Sequence, residues 1–501
     1  MIAEGPEHTP AFSEKRGLAH WMRRVLIECR KVEASFDADA VHDLRVALRR
    51  CRSMAAAFSE LDADAAWPAM RRASRKLFRR LGELRDTQVS LGWVEKLAPA
   101  ADPTAGTLTT KLRARETLAV ERARNALEHF DRAKWKSWAK HLSQRAEQVP
   151  LEGDVFQLLA LERWQAARAL HRSALRNRSR VGWHNLRIGL KRLRYVVENF
   201  LPARHAQWGK DLKQIQDLLG EVHDLDILGE ELRRLGSPFA GESREQWEQT
   251  LARARETRLA AYRQRMAGKK ALWQQWRAGL VPAGRLREAA FAYFEAWAGY
   301  RDDTFAHARH VTLLALNLFD ELSKVRTAGS GLSGKTRDWL RAAALLHNVG
   351  RSEGRRGHHK TSYRMISEMT PPPGWTAQEM EIVAQIARYH RGAEPALDHS
   401  AFAALDAEAQ RAVTLLSGIL RLAAALDADH SSHIRRLRVE SQPEMLFIFA
   451  RGYREEAERS RILASERHLL ERALKKSVMI RTHPGGPRQM ILPILQSSAV
   501  A

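Results

Sequence analysis

The feature that most constrains this chain is an internal repeat of basic, helical sequence. Residues 41–58 read VHDLRVALRRCRSMAAAF and residues 183–200 read WHNLRIGLKRLRYVVENF, with seven identical positions at an offset of 142. A second pair, LGELRDTQV from Leu81 and LGEVHDLDI from Leu219, repeats at an offset of 138. Two copies of one helical unit therefore make up residues 11 to about 275.

Placed on a helix, residues 41–58 separate into an apolar face and a basic face. The apolar face predicts a core stripe of Leu44, Ala47, Leu48, Cys51, Met54, Ala55 and Phe58. The basic face is a single row about 15 Å long at about 1.5 Å rise per residue. The second copy repeats the register, and the two basic rows are His42, Arg45, Arg49 and Arg52, and His184, Arg187, Lys191 and Arg194.

The charge of the chain indicates what these rows bind. The sequence has 83 Lys and Arg against 59 Asp and Glu, a formal net charge of +24, which favours an anionic partner. A guanidinium offers a planar fork of donors to phosphate oxygens and stays charged. One basic helix face is usually only solvated, but two rows with the same order of residues and no acidic member favour binding of a long anion. Arg50 and Arg192 on the flank are weaker candidates.

The remaining bulk features predict a helical protein of more than one domain. Ala, Leu, Arg and Glu recur at helical spacing, and β-branched alternation is scarce until about residue 437. With 44% hydrophobic residues over 501 positions, the chain can bury more than one core. Cys29 and Cys51 form no disulfide framework. No apolar run approaches the length of a membrane helix, so we expect a soluble cytoplasmic protein.

At the repeated motifs the sequence resembles the CHAD family, whose signature V-H-D-x-R-V-x-x-R-R-x-R is followed by L-G-x-x-R-D. The resemblance implies a domain at residues 11–275, with halves 11–150 and 151–275, built as two pseudo-symmetric four-helix bundles. It also implies that the two basic rows line a groove or pore that binds inorganic polyphosphate. Arg75 and Lys213, each seven residues before the Gly of the LG pair, are additional candidate contacts. His223 departs from the motif where the first half has Arg85.

The two row histidines have two open interpretations. His42 and His184 could be structural hydrogen-bonding residues, or they could be imidazoliums whose pKa is raised beside a bound anion. Metal coordination is disfavoured, because neither has a second ligand at helical spacing on its own face. We predict no cofactor for the chain.

The C-terminal part carries other motifs in order: HARHVTLLALNLFDEL from His307, LRAAALLHNVGRSEGRRGHHKTSYRMI from Leu340, ARYHRG from Ala387 and LLSGILRLAAALDADH from Leu415. Together they resemble the C-terminal domain of exopolyphosphatases and guanosine pentaphosphate phosphohydrolases, a relative of the HD superfamily. The resemblance implies a helical HD-like domain at residues 285–495 with a short strand pair near residues 437–450.

An active HD site would hold divalent ions with two histidines and two aspartates. Here His307 and His347 match, but Asn348 and Ala424 stand in place of the aspartates. We therefore predict a degenerate site, no bound metal and no catalysis. The alternative is a phosphohydrolase that acts on polyphosphate or a related phosphoanhydride.

Two further basic segments lie in the C-terminal part. Residues 329–336, GSGLSGKT, match the phosphate-loop expression, but a helical pattern precedes them and we predict a helix connection. A second phosphate patch, with an ordinary exposed basic loop as its alternative, is predicted from Arg355, Arg356, His358, His359, Lys360 and Arg391. The expected partners are polyphosphate and polyphosphate granules. Nucleic acid is disfavoured, since no stacking platform interleaves with the basic rows.

Overall fold

The structure is a computed structural model that describes residues 17–98, 102–236, 241–325, 332–454 and 456–482. The chain folds into two compact units, Met1–Ala296 and Trp297–Ala501. The predicted start of the first domain, residues 11–16, and the predicted end of the second, residues 483–495, lie outside the described residues.

The first half of unit 1 is helical throughout its described length. Its helices are α1 (Leu18–Ala34), α2 (Ala38–Leu61), α3 (Ala66–Ala73), α4 (Arg75–Leu97), α5 (Pro103–Glu128) and α6 (Arg132–Ala146). Helix α2 begins after Asp37, whose carboxylate accepts from the backbone N–H groups of Asp39 and Ala40 and so caps the helix. Pro103 opens α5, where its missing N–H costs nothing.

The second half repeats the arrangement, except that one long helix replaces two helices of the first half. Its helices are α7 (Asp154–Asn177), α8 (Arg180–Phe200), α9 (Pro202–Arg233), α10 (Gly241–Met266) and α11 (Leu272–Ala278), and α12 (Leu286–Gly299) follows. Ser179 caps α8 by accepting from Gly182 N. Helix α9 has 32 residues and takes the place of both α3 and α4. Four long helices thus dominate each half, which confirms the predicted all-α architecture.

The two halves meet through equivalent residues. Phe58 on α2 and Phe200 on α8, which are identical positions of the repeat, pack edge to face with ring centroids 5.8 Å apart. Phe156 stacks on Phe200 at 4.1 Å. Asn199 Nδ2 donates to Ser53 Oγ at 2.8 Å. Contact between equivalent residues is what pseudo-twofold symmetry requires, and it brings α2 against α8.

A second apolar cluster joins the halves through α4, α5, α9 and α10. Its fully buried members include Leu228, Leu232 and Trp247, packed with Leu91, Trp93, Val94, Leu108, Leu112, Leu225 and Leu235. The core stripe predicted for α2 is buried at all seven positions. Cys29 and Cys51 are buried free thiols. The 3.6-residue period therefore predicted the core face of α2 correctly.

Unit 2 is helical with one small sheet. Its helices are α13 (Phe305–Lys324), α14 (Gly334–Leu346), α15 (His358–Ser367), α16 (Ala377–Arg388), α17 (Ser400–Ala403), α18 (Ala407–Leu426), α19 (Ala457–Glu466) and α20 (His468–Leu474). The strands are β1 (Arg436–Ser441), β2 (Met445–Arg451) and β3 (Ser477–Thr482). The predicted pair is the antiparallel β1–β2, and β3 adds a parallel strand on β2 that the sequence did not predict.

Helix α18 corrects one expectation. By length and composition it could cross a membrane, and within the described residues it is the helix that passes this test. However, 72% of its apolar window is buried inside the protein, and Leu416, Ile419 and Leu420 are among its buried residues. Helices α13, α14, α16, α19 and α20 pack around it. Its hydrophobicity is explained by its place in the core of unit 2.

The segment that matches the phosphate-loop expression lies between helices. Residues 329–331 are outside the described residues, and the described part begins α14. Ser333 and Thr336 form a reciprocal capping box at its first turn. Helix α13 precedes the segment, whereas a phosphate loop requires a strand there.

Candidate functional site

The two basic rows lie on α2 and α8, which pack against each other in unit 1. Arg49 from the first row sits over the ring of Tyr195 on α8, 5.2 Å from guanidinium carbon to ring centroid. The charges of Arg187 and Arg49, one from each row, both lower the pKa of Lys191. The structure therefore brings the two predicted rows together across the seam between the halves.

The first row is anchored to its own half. Arg45 Nη1 donates to Phe78 O at 3.3 Å, and its guanidinium lies 5.1 Å from the Phe78 ring. Arg52 Nη1 donates to Ser74 Oγ at 2.9 Å and to Arg71 O. Gly82 permits the position of Arg45, because a Cβ there would lie 2.6 Å from Arg45 Nη1. These contacts hold the row side chains before any ligand arrives.

Among the described residues, the second row has no hydrogen bonds to backbone carbonyls like those of Arg45 and Arg52. The Nε atoms of Arg187 and Arg194 are buried and have no hydrogen-bond partner in the part of the chain that the structure describes. Arg194 Nη2 is 3.7 Å from Glu198. Gly220, the counterpart of Gly82, faces open space. The second half thus lacks the contact that fixes Arg45 in the first.

Two carboxylates face the rows from neighbouring helices. Asp86 on α4 and Asp224 on α9 occupy the same position of the repeated L-G-x-x-R/H-D motif. Burial raises the pKa of Asp224 to about 6; the charge of Arg187 opposes this shift and that of Asp86 adds to it. The rows contain no acidic residue, and these two carboxylates on neighbouring helices act on them electrostatically.

Lys191 is the most perturbed basic group of the site. Burial first, and then the nearby charges of Arg187 and Arg49, lower the pKa of its ammonium to about 7. The charge of Lys191 is therefore sensitive to pH in the neutral range. A bound anion would favour the charged form, so anion binding and proton uptake are coupled at this residue.

The two row histidines lie in different surroundings. Burial lowers the pKa of His42, and the charges of Arg85 and Arg49 lower it further. The His184 ring lies 4.9 Å from the ring of His223. Burial, followed by the charge of Arg187, lowers the pKa of His223 to about 4. Protonation of His42 and His184 beside an anion stays a prediction.

The flank candidates occupy different surroundings. Arg50 is half-buried, bonds Glu198 and donates to Asn199 Oδ1 at 3.1 Å, and its guanidinium covers Trp21 at 4.3 Å. It links the halves structurally. Arg192 and Arg75 are exposed. Lys213 is also exposed and pairs with Asp217 at 3.2 Å on its own helix.

Tyr195 is a site residue that the sequence did not identify. It aligns with Ser53 of the first half, and its hydroxyl is buried without a hydrogen-bond partner among the described residues. The sequence contained one signal for it: the residue directly after the second row is the large Tyr195, whereas the residue after the first row is the small Ser53. Burial raises the pKa of Tyr195, and the charges of Arg49 and Arg194 oppose that shift.

The predicted second phosphate patch is partly assembled in unit 2. Arg355, Arg356, Lys360 and Arg391 are exposed. His358 is buried, with Nδ1 3.0 Å from Arg355 O, and its ring is 5.4 Å from that of His390. His359 is 6.4 Å from the same ring. The buried histidines therefore lie beneath an exposed basic surface.

The degenerate HD positions lie together in unit 2, with one addition. His307 Nδ1 donates to Asp427 Oδ2 at 2.7 Å, and the His307 and His347 rings are 6.1 Å apart. Ala424 brings no carboxylate, but Asp427, one turn later, does, which corrects the expectation that both acids are lost. Ser432 N also donates to Asp427 Oδ1 at 2.8 Å.

These residues do not form a metal centre of the HD kind. Within the described ranges, no three His, Cys, Asp or Glu side chains are arranged to hold an ion. Burial lowers the pKa of His347 to about 3, and its Nδ1 donates to Ala344 O at 2.7 Å. Asn348 contributes no negative charge. The donor set therefore does not fit the two-histidine, two-aspartate ligation.

Comparison with known proteins gives two family matches. Residues 18–233 match the CHAD domain, and residues 301–462 match Ppx/GppA phosphatase, domain III. Among solved structures, the chain is similar to the crystal structure of the CHAD domain from the plant Ricinus communis. The identity is 21%, the match covers 55% of this chain and 96% of that one, and the TM-score is 0.36. No curated protein matches the chain. The family matches confirm both resemblances found in the motifs.

Proposed function

We propose that this protein binds inorganic polyphosphate along the two basic rows, because residues 18–233 match the CHAD domain and residues 301–462 match Ppx/GppA phosphatase, domain III. The two matches together support a polyphosphate-related function in general. The specific ligand, the groove and a non-catalytic role are our proposal. We also propose that the protein acts in the cytoplasm and at polyphosphate granules.

The observation that carries the proposal is the meeting of the rows at the seam of unit 1. Arg49 lies over Tyr195, and after burial the charges of Arg187 and Arg49, one from each row, lower the pKa of Lys191. A cluster of like charges between buried helices destabilises the free protein. A ligand that supplies many closely spaced negative charges removes this repulsion, and each charge-assisted hydrogen bond contributes about 1.5–3 kcal/mol.

Nucleic acid fits the site less well. A single-stranded nucleic acid needs exposed aromatic faces on which its bases stack. The aromatic rings beside the rows, Phe78 and Tyr195, are covered by the guanidinium groups of Arg45, Arg52 and Arg49. The site offers charge and hydrogen bonds without a free stacking surface, which suits an inorganic polymer.

The test replaces Arg45, Arg49, Arg187 and Lys191 by Ala in one variant. We expect most polyphosphate affinity to be lost while the helical circular dichroism persists, because these positions lie off the buried stripe. A matched control removes four exposed charges elsewhere in unit 1, at Arg122, Lys136, Lys140 and Arg172. Pull-downs on polyphosphate, single-stranded DNA and heparin at physiological salt measure binding. Wild-type affinity in the folded row variant would contradict the proposal.

A second candidate function, hydrolysis of polyphosphate or a related phosphoanhydride, has one observation in its favour. Asp427 places a carboxylate next to His307 in unit 2. Asp427 is already bonded by His307 and Ser432, and the Asp expected at Asn348 is missing. We therefore keep binding as the proposed function.

A further inference from the structure

Four polar atoms at the seam of unit 1 lack partners. They are the Nε atoms of Arg49, Arg187 and Arg194 and the hydroxyl of Tyr195, and each is buried without a hydrogen bond to any residue that the structure describes. A buried donor without a partner costs about 1–3 kcal/mol. Four of them at one seam call for a common explanation.

The four atoms belong to one cluster. Arg49 lies over the Tyr195 ring at 5.2 Å, although the two residues come from different halves. Burial raises the pKa of Tyr195, and the charges of Arg49, Arg194 and Arg187 oppose this shift. Burial lowers the pKa of Arg187, and Tyr195 and Arg49 also affect it. The cluster therefore spans α2 and α8 at the point where the two rows meet.

The members cannot satisfy one another. A guanidinium only donates, and it has no lone pair for hydrogen bonds. Tyr195 can accept one bond, which leaves at least two arginine donors unmatched. The nearest carboxylate on α8, Glu198, is bonded by Arg50. The carboxylates of Asp86 and Asp224 act on Arg187 from α4 and α9, but neither bonds any of these four atoms in the described residues. An oxyanion from outside the protein would provide acceptors for all four donors.

We propose that Arg49, Arg187, Arg194 and Tyr195 form a dry pocket for one phosphoryl group of the bound polymer, in which the Tyr195 hydroxyl is a neutral donor that sets specificity. This inference rests on the proposed function and adds a discriminating residue to it. Because the four donor atoms are buried, a compact phosphoryl unit would reach them more easily than a bulky group, and polyphosphate presents such units along its whole length. In a nucleic acid, each phosphate carries two sugars, which hinder its entry.

The pocket occurs once per chain. Ser53, the counterpart of Tyr195, donates its hydroxyl to Arg50 O at 3.0 Å and accepts from Asn199 at 2.8 Å. The Ser53 hydroxyl therefore already has two hydrogen bonds, one of which links the halves. One phosphoryl unit is held in the dry pocket, and the others meet the more exposed row residues.

The experiment compares Tyr195→Phe with Arg49→Gln in the full chain. Tyr195→Phe removes one neutral donor, so polyphosphate affinity should fall about tenfold while the logarithmic salt dependence stays unchanged. Arg49→Gln removes a charge, so both affinity and the salt slope should fall, the slope by about 0.7. The control is Tyr262→Phe, whose hydroxyl bonds His171 at 2.8 Å. It should bind polyphosphate as wild type does.

A stability readout separates binding from folding. Tyr195→Phe deletes a buried hydroxyl that has no partner, so the thermal midpoint of the free protein should stay level or rise. Binding to single-stranded DNA should change less than binding to polyphosphate.

Each outcome decides between the two proposals. Wild-type polyphosphate affinity in Tyr195→Phe, together with a loss in Arg49→Gln, would overturn the pocket and leave the proposed function intact. Unchanged affinity in both variants would overturn the proposed function as well. An equal loss of DNA and polyphosphate binding in Tyr195→Phe would show that the hydroxyl does not discriminate.

Discussion

Lys191 couples binding to pH at the scale of a single residue. Burial lowers the pKa of its ammonium to about 7, and an anion raises it again. Affinity for polyphosphate should therefore increase as pH falls from 8 to 6, because binding takes up a proton. Asp224, whose pKa burial raises to about 6, acts in the same direction, since its protonation removes a repulsive charge. Titrations at pH 6, 7 and 8 measure the effect.

The matched variants assign this pH dependence. Lys191→Arg keeps the charge at every pH and should flatten most of the change between pH 7 and 8. The double variant His42→Gln, His184→Gln tests the histidines. If it keeps the wild-type pH dependence, the two histidines are structural. If Lys191→Arg keeps it, the assignment to Lys191 is wrong.

Gly82 and Gly220 occupy equivalent positions of α4 and α9 but have different surroundings. Gly220→Ala adds a methyl group into open space within a helix and should raise the free energy of unfolding by about 0.5–1 kcal/mol. Gly82→Ala gains the same propensity, but its Cβ displaces Arg45 from Phe78 O, which costs about 1 kcal/mol. Urea unfolding of both variants measures the difference. Equal stabilisation of the two would mean that Gly82 does not position Arg45.

At the scale of elements, the sequence predicted what lies on one helix and missed what neighbouring helices supply. The period of α2 separated a buried stripe from the basic row, since a helix fixes the angle between its own residues. It could not indicate that Arg50 bonds Glu198 or that Asp86 and Asp224 face the rows, because these contacts depend on tertiary packing. Strand β3 was missed for the same reason, as its pairing partner lies about thirty residues away.

In unit 2 the sequence likewise missed a contact that depends on tertiary packing, at the degenerate HD positions. Motif matching pointed to Ala424, whereas the carboxylate that bonds His307 comes from Asp427, one helical turn later. We predict that purified protein releases no orthophosphate from polyphosphate with Mg²⁺ or Mn²⁺. The His347→Ala variant is the control. Turnover in the wild type that disappears in this variant would contradict the prediction.

At the scale of the whole molecule, the charge distribution predicts how binding responds to salt. If the eight row residues neutralise phosphates, the log-log slope of affinity against salt should be about −5 to −6, at roughly 0.7 per contact by analogy with single strands. Titrations across several salt concentrations at one pH measure the slope. A slope near about −1 would exclude the extended groove.

The contact between Phe58 and Phe200 resembles the centre of an isologous homodimer interface, where the same residue of both partners meets on a twofold axis. In a homodimer both partners must carry the same residue at every site. In a single chain the two copies can differ. Tyr195 can therefore serve the site while its counterpart Ser53 bonds Asn199 and links the halves.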